Sequence, residues 1–235
     1  MDALDALVTY ETDGPIATIT MDDGKVNVLS PRMLTELEAA FDRAAADRAV
    51  VVLRGREGVF SAGFDLAVLN AGGSESLAMV RAGFELAERV LSFPTPVVIA
   101  CTGHAVAMGV FLVLSGDHRI GAAGPFRLTA NEVAIGLTMP RAAVEICRQR
   151  LTPAHFNRAV VLAEPFTPAE AVEAGFLDRV VDPASLDAAA RTAAEALATL
   201  DMASHVATKQ RARGPALDAI RAGIAADWSS FRRSA

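Results

Sequence analysis

The sequence predicts a mixed α/β (α+β) fold, and three observations predict it. Short β-branched runs at Val50–Leu53 and Val97–Ala100 are apolar throughout, as in central strands buried on both faces. Strand pairs alternate with segments of helical periodicity up to Pro140, and from there onward helical signals dominate. The first elements read as strands over Val8–Glu11 and Ile16–Met21, joined at Asp13-Gly14, with Asp22-Asp23-Gly24 closing the second. Ser30 followed by Pro31 is a helix start, and Leu34, Leu37, Phe41 and Ala44 hold one apolar face. After the strand at Val50, Gly72-Gly73-Ser74 forms a joint before a helix carrying Leu77, Val80, Phe84, Ala87 and Leu91, which Pro94 and Pro96 stop.

Arg119–Ala122 and Phe126–Leu128 read as short strands flanking Gly124-Pro125. Thr152-Pro153 and the capping box Thr167-Pro168-Ala169-Glu170 open further helices, and Phe176–Val181 is the last expected strand. Residues 1–183 are taken as the core domain and 184–235 as a C-terminal helical region. That region places apolar side chains at Leu186, Ala190, Leu197, Leu200, Leu217, Ile220, Ile224 and Trp228, and it must pack on the core or on another subunit.

The chain has 235 residues, 52% of them hydrophobic, enough for a substantial core. Its formal charge of -6 lacks the basic excess of a nucleic-acid binder. Cys101 and Cys147 lie far apart in apolar sequence, which fits packed thiols and a reducing compartment. An acidic start, Met1-Asp2-Ala3-Leu4-Asp5, and the lack of a bilayer-length apolar run lead to the expectation of a soluble cytoplasmic protein with no membrane partner.

Two turns draw attention chemically. Cys101-Thr102-Gly103-His104-Ala105-Val106-Ala107-Met108-Gly109 runs from an apolar strand through small residues into an apolar helix, and Phe60-Ser61-Ala62-Gly63-Phe64-Asp65-Leu66 follows the strand at Val50 in the same way. A helix start presents unpaired N–H donors and the positive end of the peptide dipole, so two such turns can make a two-donor oxyanion hole; close strand–helix packing explains either turn alone. Asn131-Glu132-Val133-Ala134-Ile135-Gly136 sets one carboxylate in apolar sequence, where it either carries a raised pKa or pairs with an Arg. His104 has no second ligand at metal spacing and reads as a hydrogen-bonded core residue. Asp117-His118-Arg119 reads as a cap or salt bridge, and Ser61 and Ser115 lack the partners of a nucleophile. Arg54, Arg56, Arg211, Arg213 and the Phe231-Arg232-Arg233 end read as solvated charges, each able to meet a phosphate.

Taken together, Phe60–Leu66, Gly103–Asp117 and Asn131–Pro140, with Lys25-Val26-Asn27-Val28-Leu29-Ser30 before them and Phe166–Ala171 and Ala174–Leu177 after, resemble the crotonase (enoyl-CoA hydratase/isomerase) superfamily over about four fifths of the chain. The resemblance implies a spiral of repeated ββα units with C-terminal helices that build a homotrimer or a dimer of trimers. It implies an acyl-CoA thioester as substrate, with coenzyme A part of that substrate and no metal or redox cofactor. The N–H groups of Phe64 and Met108 fall where the family binds the thioester oxygen, and Met108 replaces the usual Gly. Val26, Val28, Ala62, Asp65 and Leu66 fall at the CoA positions, and Gly109, Phe111 and Met139 at the acyl side. Glu132 matches the second glutamate of the hydratases, whereas Phe111 stands in place of the first, as an apolar residue does in the 3-enoyl-CoA to 2-enoyl-CoA isomerases. An isomerase is therefore expected, with two alternatives: a hydratase working through Glu132 alone or with Glu85, and a non-catalytic acyl-CoA binder.

Overall fold

The computed structural model describes residues 6–234, with side chains as far as Ser229. It opens with a hairpin, β1 (Val8–Asp13) and β2 (Ile16–Met21), and continues through β3 (Val28–Leu29) and α1 (Pro31–Asp47). Ser30 caps α1 by accepting from the Met33 N–H, and Pro31 costs nothing at a first-turn position whose N–H has no helical acceptor. A second unit comprises β4 (Val50–Arg54), β5 (Gly58–Ser61), β6 (Gly63–Phe64), α2 (Leu66–Ala71) and α3 (Gly73–Ser92). A third comprises β7 (Val97–Cys101), β8 (Gly103–Val106) and α4 (Met108–Ser115). The fourth runs through β9 (His118–Ala122), β10 (Leu128–Thr129), a 3-10 turn at Val133–Ile135 and α5 (Arg141–Arg148). The rest is α6 (Pro153–Val160), α7 (Pro168–Ala174), β11 (Arg179–Val181), a 3-10 turn at Pro183–Ser185, α8 (Leu186–Ala198) and α9 (Met202–Ser234).

The first unit gives its hairpin, the next three one strand each and the C-terminal part β11 to a six-stranded sheet, ordered β1-β2-β4-β7-β9-β11; the remaining strands form smaller sheets, β10-β8-β5 and β3-β6. Apart from the β1–β2 hairpin, the strands of all three sheets pair in parallel. This is the repeated ββα arrangement expected from the resemblance. The large sheet is apolar on both faces because both are covered. Ala17, Ile19, Val51, Leu53 and Ile99 face the main core beneath α1, α3 and α4. Ile16, Val50, Val52, Val98 and Ile120 pack on the other side with Leu186, Ala190 and Ala194 of α8. Continuous β-branched runs are the consequence.

Several expectations need correction. The short helix α2 was not foreseen; Asp65 nucleates it by accepting from the N–H groups of Ala67 and Val68. The last strand starts at Arg179, because the Phe176 and Leu177 N–H groups both turn back to Ala171 O at the end of α7. His104 is exposed rather than in the core, although its Nδ1 accepts from the Arg127 N–H. Leu200 is also exposed. Arg54 and Arg56 are paired, with Asp187 and Asp22. Arg213 is mostly buried. The segment Met1–Asp5 and the side chains of Phe231-Arg232-Arg233 lie outside the description. No described helix is long and apolar enough to cross a membrane.

The C-terminal helix packs on its own chain. Along α9, Arg213 donates to Leu91 O, Arg221 pairs with Glu88 at 2.6 Å, and Asp227 pairs with Arg141 at 2.6 Å. Asp117, between α4 and β9, anchors its start: one carboxylate accepts from Val97 N, from Lys209 Nζ at 2.7 Å and from Arg213 at 3.0 Å. Removing its charge leaves two buried cations unbalanced. We expect Asp117→Asn to lower the unfolding free energy by roughly 3 kcal/mol or more, read from urea denaturation, a cost typical of breaking one side of a buried ion pair.

Candidate active site

Parallel pairing of β3 with β6 brings two distant loops together. Val28 stands beside Gly63 and Leu29 beside Phe64 in this register, and the Ala62 N–H donates to Val26 O at 3.0 Å. A buried polar frame fixes these loops. Asn27, at φ 51, is fully buried and donates through Nδ2 to Met21 O and Phe60 O; Ser61 Oγ donates to Asn27 O and accepts from the Gly63 N–H. The Asp23 carboxylate closes the turn by accepting from the Lys25, Asn27 and Val28 N–H groups, and these bonds hold its pKa below the ordinary carboxylate range despite burial. Ser61 is thus a structural hydroxyl, as Ser115 is, which donates to Phe111 O. Neither Asn27 nor Asp23 was singled out from sequence; a polar Asn between Val26 and Val28 was the available signal.

The frame leaves Val26 and Leu66 exposed and Val28, Ala62 and Asp65 partly exposed along one edge. Phe64 is half-buried and ends β6 next to the start of α4. Gly63, at φ +89, makes that approach possible, since a Cβ there would lie 2.9 Å from Val106 O and 3.3 Å from Met108 N. Gly109 is buried for a similar reason, against Ser61 O. At the start of α4 the Val110 and Phe111 N–H groups both turn to Ala107 O, while the Met108 N–H has no acceptor among the described residues. It is an available donor at the positive end of a helix. Ala107 itself sits at φ 50, ψ −124, an unfavourable region for a residue with a Cβ. Replacing Ala107 by Gly is expected to raise thermal stability by about 1 kcal/mol, measured by calorimetry, because Gly adopts this backbone freely.

Phe64 is met by a row of aromatic side chains from α3 and α4. Phe64 meets Phe84 edge-on at 6.1 Å, and Phe84 lies against Phe111 at the same separation. Met108, Phe111, Met79 and Met139 are all buried. Glu85, which one form of the hydratase alternative pairs with Glu132, is on the exposed side of α3 and is engaged with Arg81 at 2.7 Å.

Glu132 lies between β10 and the 3-10 turn, 7% exposed, and its Oε2 is buried with no hydrogen-bond partner. Asn131 Oδ1 beside it is likewise buried without a donor. No Arg pairs with the Glu132 carboxyl among the described residues, so of the two sequence-level readings it is the raised-pKa one that holds. Burial pushes Glu132 up to about 7, and its charge acts in turn on the thiol of Cys147, which burial pushes up further still. Both cysteines are free and buried.

A carboxyl with a folded pKa above its unfolded value binds its proton more tightly when folded. Stability therefore falls as pH rises from the unfolded value of 4.5 to about 7, and the loss is complete above that. Glu132→Gln removes this ionisation. The variant should be more stable than the parent at pH 8 by on the order of 3 kcal/mol and equal to it near pH 4, as urea titrations at the two pH values would show.

The family model for enoyl-CoA hydratase/isomerase matches residues 11–234. An enoyl-CoA hydratase of Mycobacterium ulcerans is 49% identical, with 96% of this chain and 99% of that chain aligned at a TM-score of 0.92. A Mycobacterium tuberculosis protein, described as an enoyl-CoA isomerase in one structure and as a probable enoyl-CoA hydratase in another, is also 49% identical in the first, over 93% of this chain and 96% of that one, at a TM-score of 0.90. The human mitochondrial delta3-delta2-enoyl-CoA isomerase is 28% identical over 96% and 90% of the two chains, again with a TM-score of 0.90. Relatives of equal similarity thus carry the names of two different reactions.

Proposed function

The chain belongs to the enoyl-CoA hydratase/isomerase family, the crotonase superfamily of enzymes that act on acyl-CoA thioesters, and from that premise we propose that it is an enoyl-CoA isomerase converting 3-enoyl-CoA to 2-enoyl-CoA. The observation that carries the reading is the buried carboxyl of Glu132, and the family resemblance adds an apolar Phe111 at the position of the second proton carrier. Water addition needs a water held and activated on one face of the double bond. A double-bond shift needs only one base that moves one proton.

In the proposed mechanism the thioester oxygen accepts from the N–H groups of Phe64 and Met108, which acidifies the C2 protons. The Glu132 carboxylate takes one of them. The C2–H electron pair spreads through C3=C4 and the carbonyl as a dienolate, whose negative oxygen is held by the two donors and the dipole of α4. Protonated Glu132 then delivers its proton to C4, the double bond settles between C2 and C3, and the carboxylate is regenerated. A pKa of about 7 suits both halves of this cycle, since the group must be a base first and an acid second. Val26, Val28, Ala62, Asp65 and Leu66 would line the CoA moiety, and Gly109, Phe111 and Met139 the acyl chain.

Because the unprotonated carboxylate starts the reaction, kcat/KM for 3-enoyl-CoA should be half-maximal near pH 7, fall about tenfold per unit below it and level off above. Substrate deuterated at C2 should give product carrying deuterium at C4, seen by mass spectrometry, and Glu132→Gln should lose at least 1000-fold in kcat, roughly the scale of removing a general base together with its proton return. Faster hydration of 2-enoyl-CoA than isomerisation would reject this reading in favour of a hydratase. Tight acyl-CoA binding with neither reaction would mark a non-catalytic binder.

A further inference from the structure

Gly83 lies in the middle of α3, where glycine is unfavourable relative to alanine and no positive φ calls for it. What calls for it is space. A Cβ at Gly83 would stand 2.4 Å from Phe64 Cε1 and 2.5 Å from Cζ, with Met108 Cγ next at 3.5 Å. The Phe64 ring therefore rests directly on the backbone of α3, in a notch left by the missing side chain. The same ring is flanked by Phe84, so it has little freedom to rotate away, and Phe84 in turn is backed by Phe111. Displacement of the ring must then be taken up by β6, a two-residue strand held to β3 alone in its sheet.

We propose that Gly83 is a positioning residue for the thioester-binding donors: by letting the Phe64 ring dock on α3 beside Met108, it fixes where the Phe64 N–H points relative to the Met108 N–H. The inference rests on the reading of these two amides as the oxyanion site. Gly83 touches no substrate. Its effect passes through a side chain whose own chemistry is irrelevant, so the penalty of filling the notch must vanish when that side chain is shortened.

The test is a double-mutant cycle between Gly83→Ala and Phe64→Leu, since leucine keeps the backbone donor and lacks the ring atoms that the new Cβ would strike. In the parent background Gly83→Ala should lower kcat for 3-enoyl-CoA at least tenfold with KM changed less than threefold, as expected when a donor to the developing oxyanion is misplaced. In the Phe64→Leu background the same substitution should cost less than threefold. A change within twofold in the parent background, or an equal loss in both, overturns the proposal. If Gly83→Ala alone does not fold, the comparison within the Phe64→Leu background decides: under threefold supports it and tenfold or more overturns it. Hydration of 2-enoyl-CoA uses the same donors and serves as the readout if that is the reaction found. If the parent turns over neither substrate, the isomerase reading fails, and the cycle is read instead from the affinity for hexanoyl-CoA: weakening by threefold or more confined to the Phe64 background supports the positioning role, and none overturns it.

Discussion

The constraint on which the reading of Glu132 depends is that one of its carboxyl oxygens, Oε2, is kept out of water without a hydrogen-bond partner. Among the described residues Glu132 Oε2 has no hydrogen-bond partner, and the adjacent Asn131 oxygen is equally unserved. Such a group is costly to the fold and is tolerated where function needs it. The surroundings fit that role. Residues 133–138, immediately after Glu132, are all exposed, Val133, Ile135 and Leu137 among them, so Glu132 ends the buried run that begins at Leu128 before the chain returns to the surface. Acidity is set here by removal of water, and the buried neighbour Cys147 is consistent with that.

In contrast to Glu132, the loops that carry Val26–Leu29 and Ser61–Phe64 are over-determined. Asn27, Ser61 and Asp23 spend nearly all of their hydrogen-bonding capacity on backbone groups of two loops. Backbone donors hold position only as well as the chain that carries them, and a two-strand ladder of two residues each would be a poor mount by itself. The buried amide and hydroxyl make the mount rigid. Rigidity in the scaffold and frustration at the acid are complementary parts of one arrangement.

Much of the architecture was legible in the sequence because its signals are local. Ser30-Pro31, the Thr167–Glu170 box and the all-apolar strands at Val50 and Val97 each state their structure within a few residues. The misreadings have the opposite character. His104 follows a buried strand in sequence yet faces outward on β8, because β8 belongs to a small sheet whose faces alternate. Arg213 looks like one more surface cation on a helix and is held inside by Asp117, 96 positions earlier in the chain. At the site, the acid was legible as a lone carboxylate in apolar sequence and through family resemblance. The frame of Asn27 and Asp23, the backbone outlier at Ala107 and the notch at Gly83 were not, since each is defined by what a distant segment places against it.

The covering of the large sheet by α8 has a consequence for biogenesis. Val50, Val52, Val98 and Ile120 form a β-branched rear surface whose fully buried apolar lid comes from α8, through Leu186, Ala190 and Ala194, with Phe126 and Val181 packed at its side. During synthesis the strands emerge well before that lid does, so a nascent chain lacking its last fifty or so residues presents a bare, sticky sheet face. Chaperone capture and ribosome-stage aggregation would both be concentrated in that interval, and a truncation ahead of Leu186 would turn a transient hazard into a permanent one.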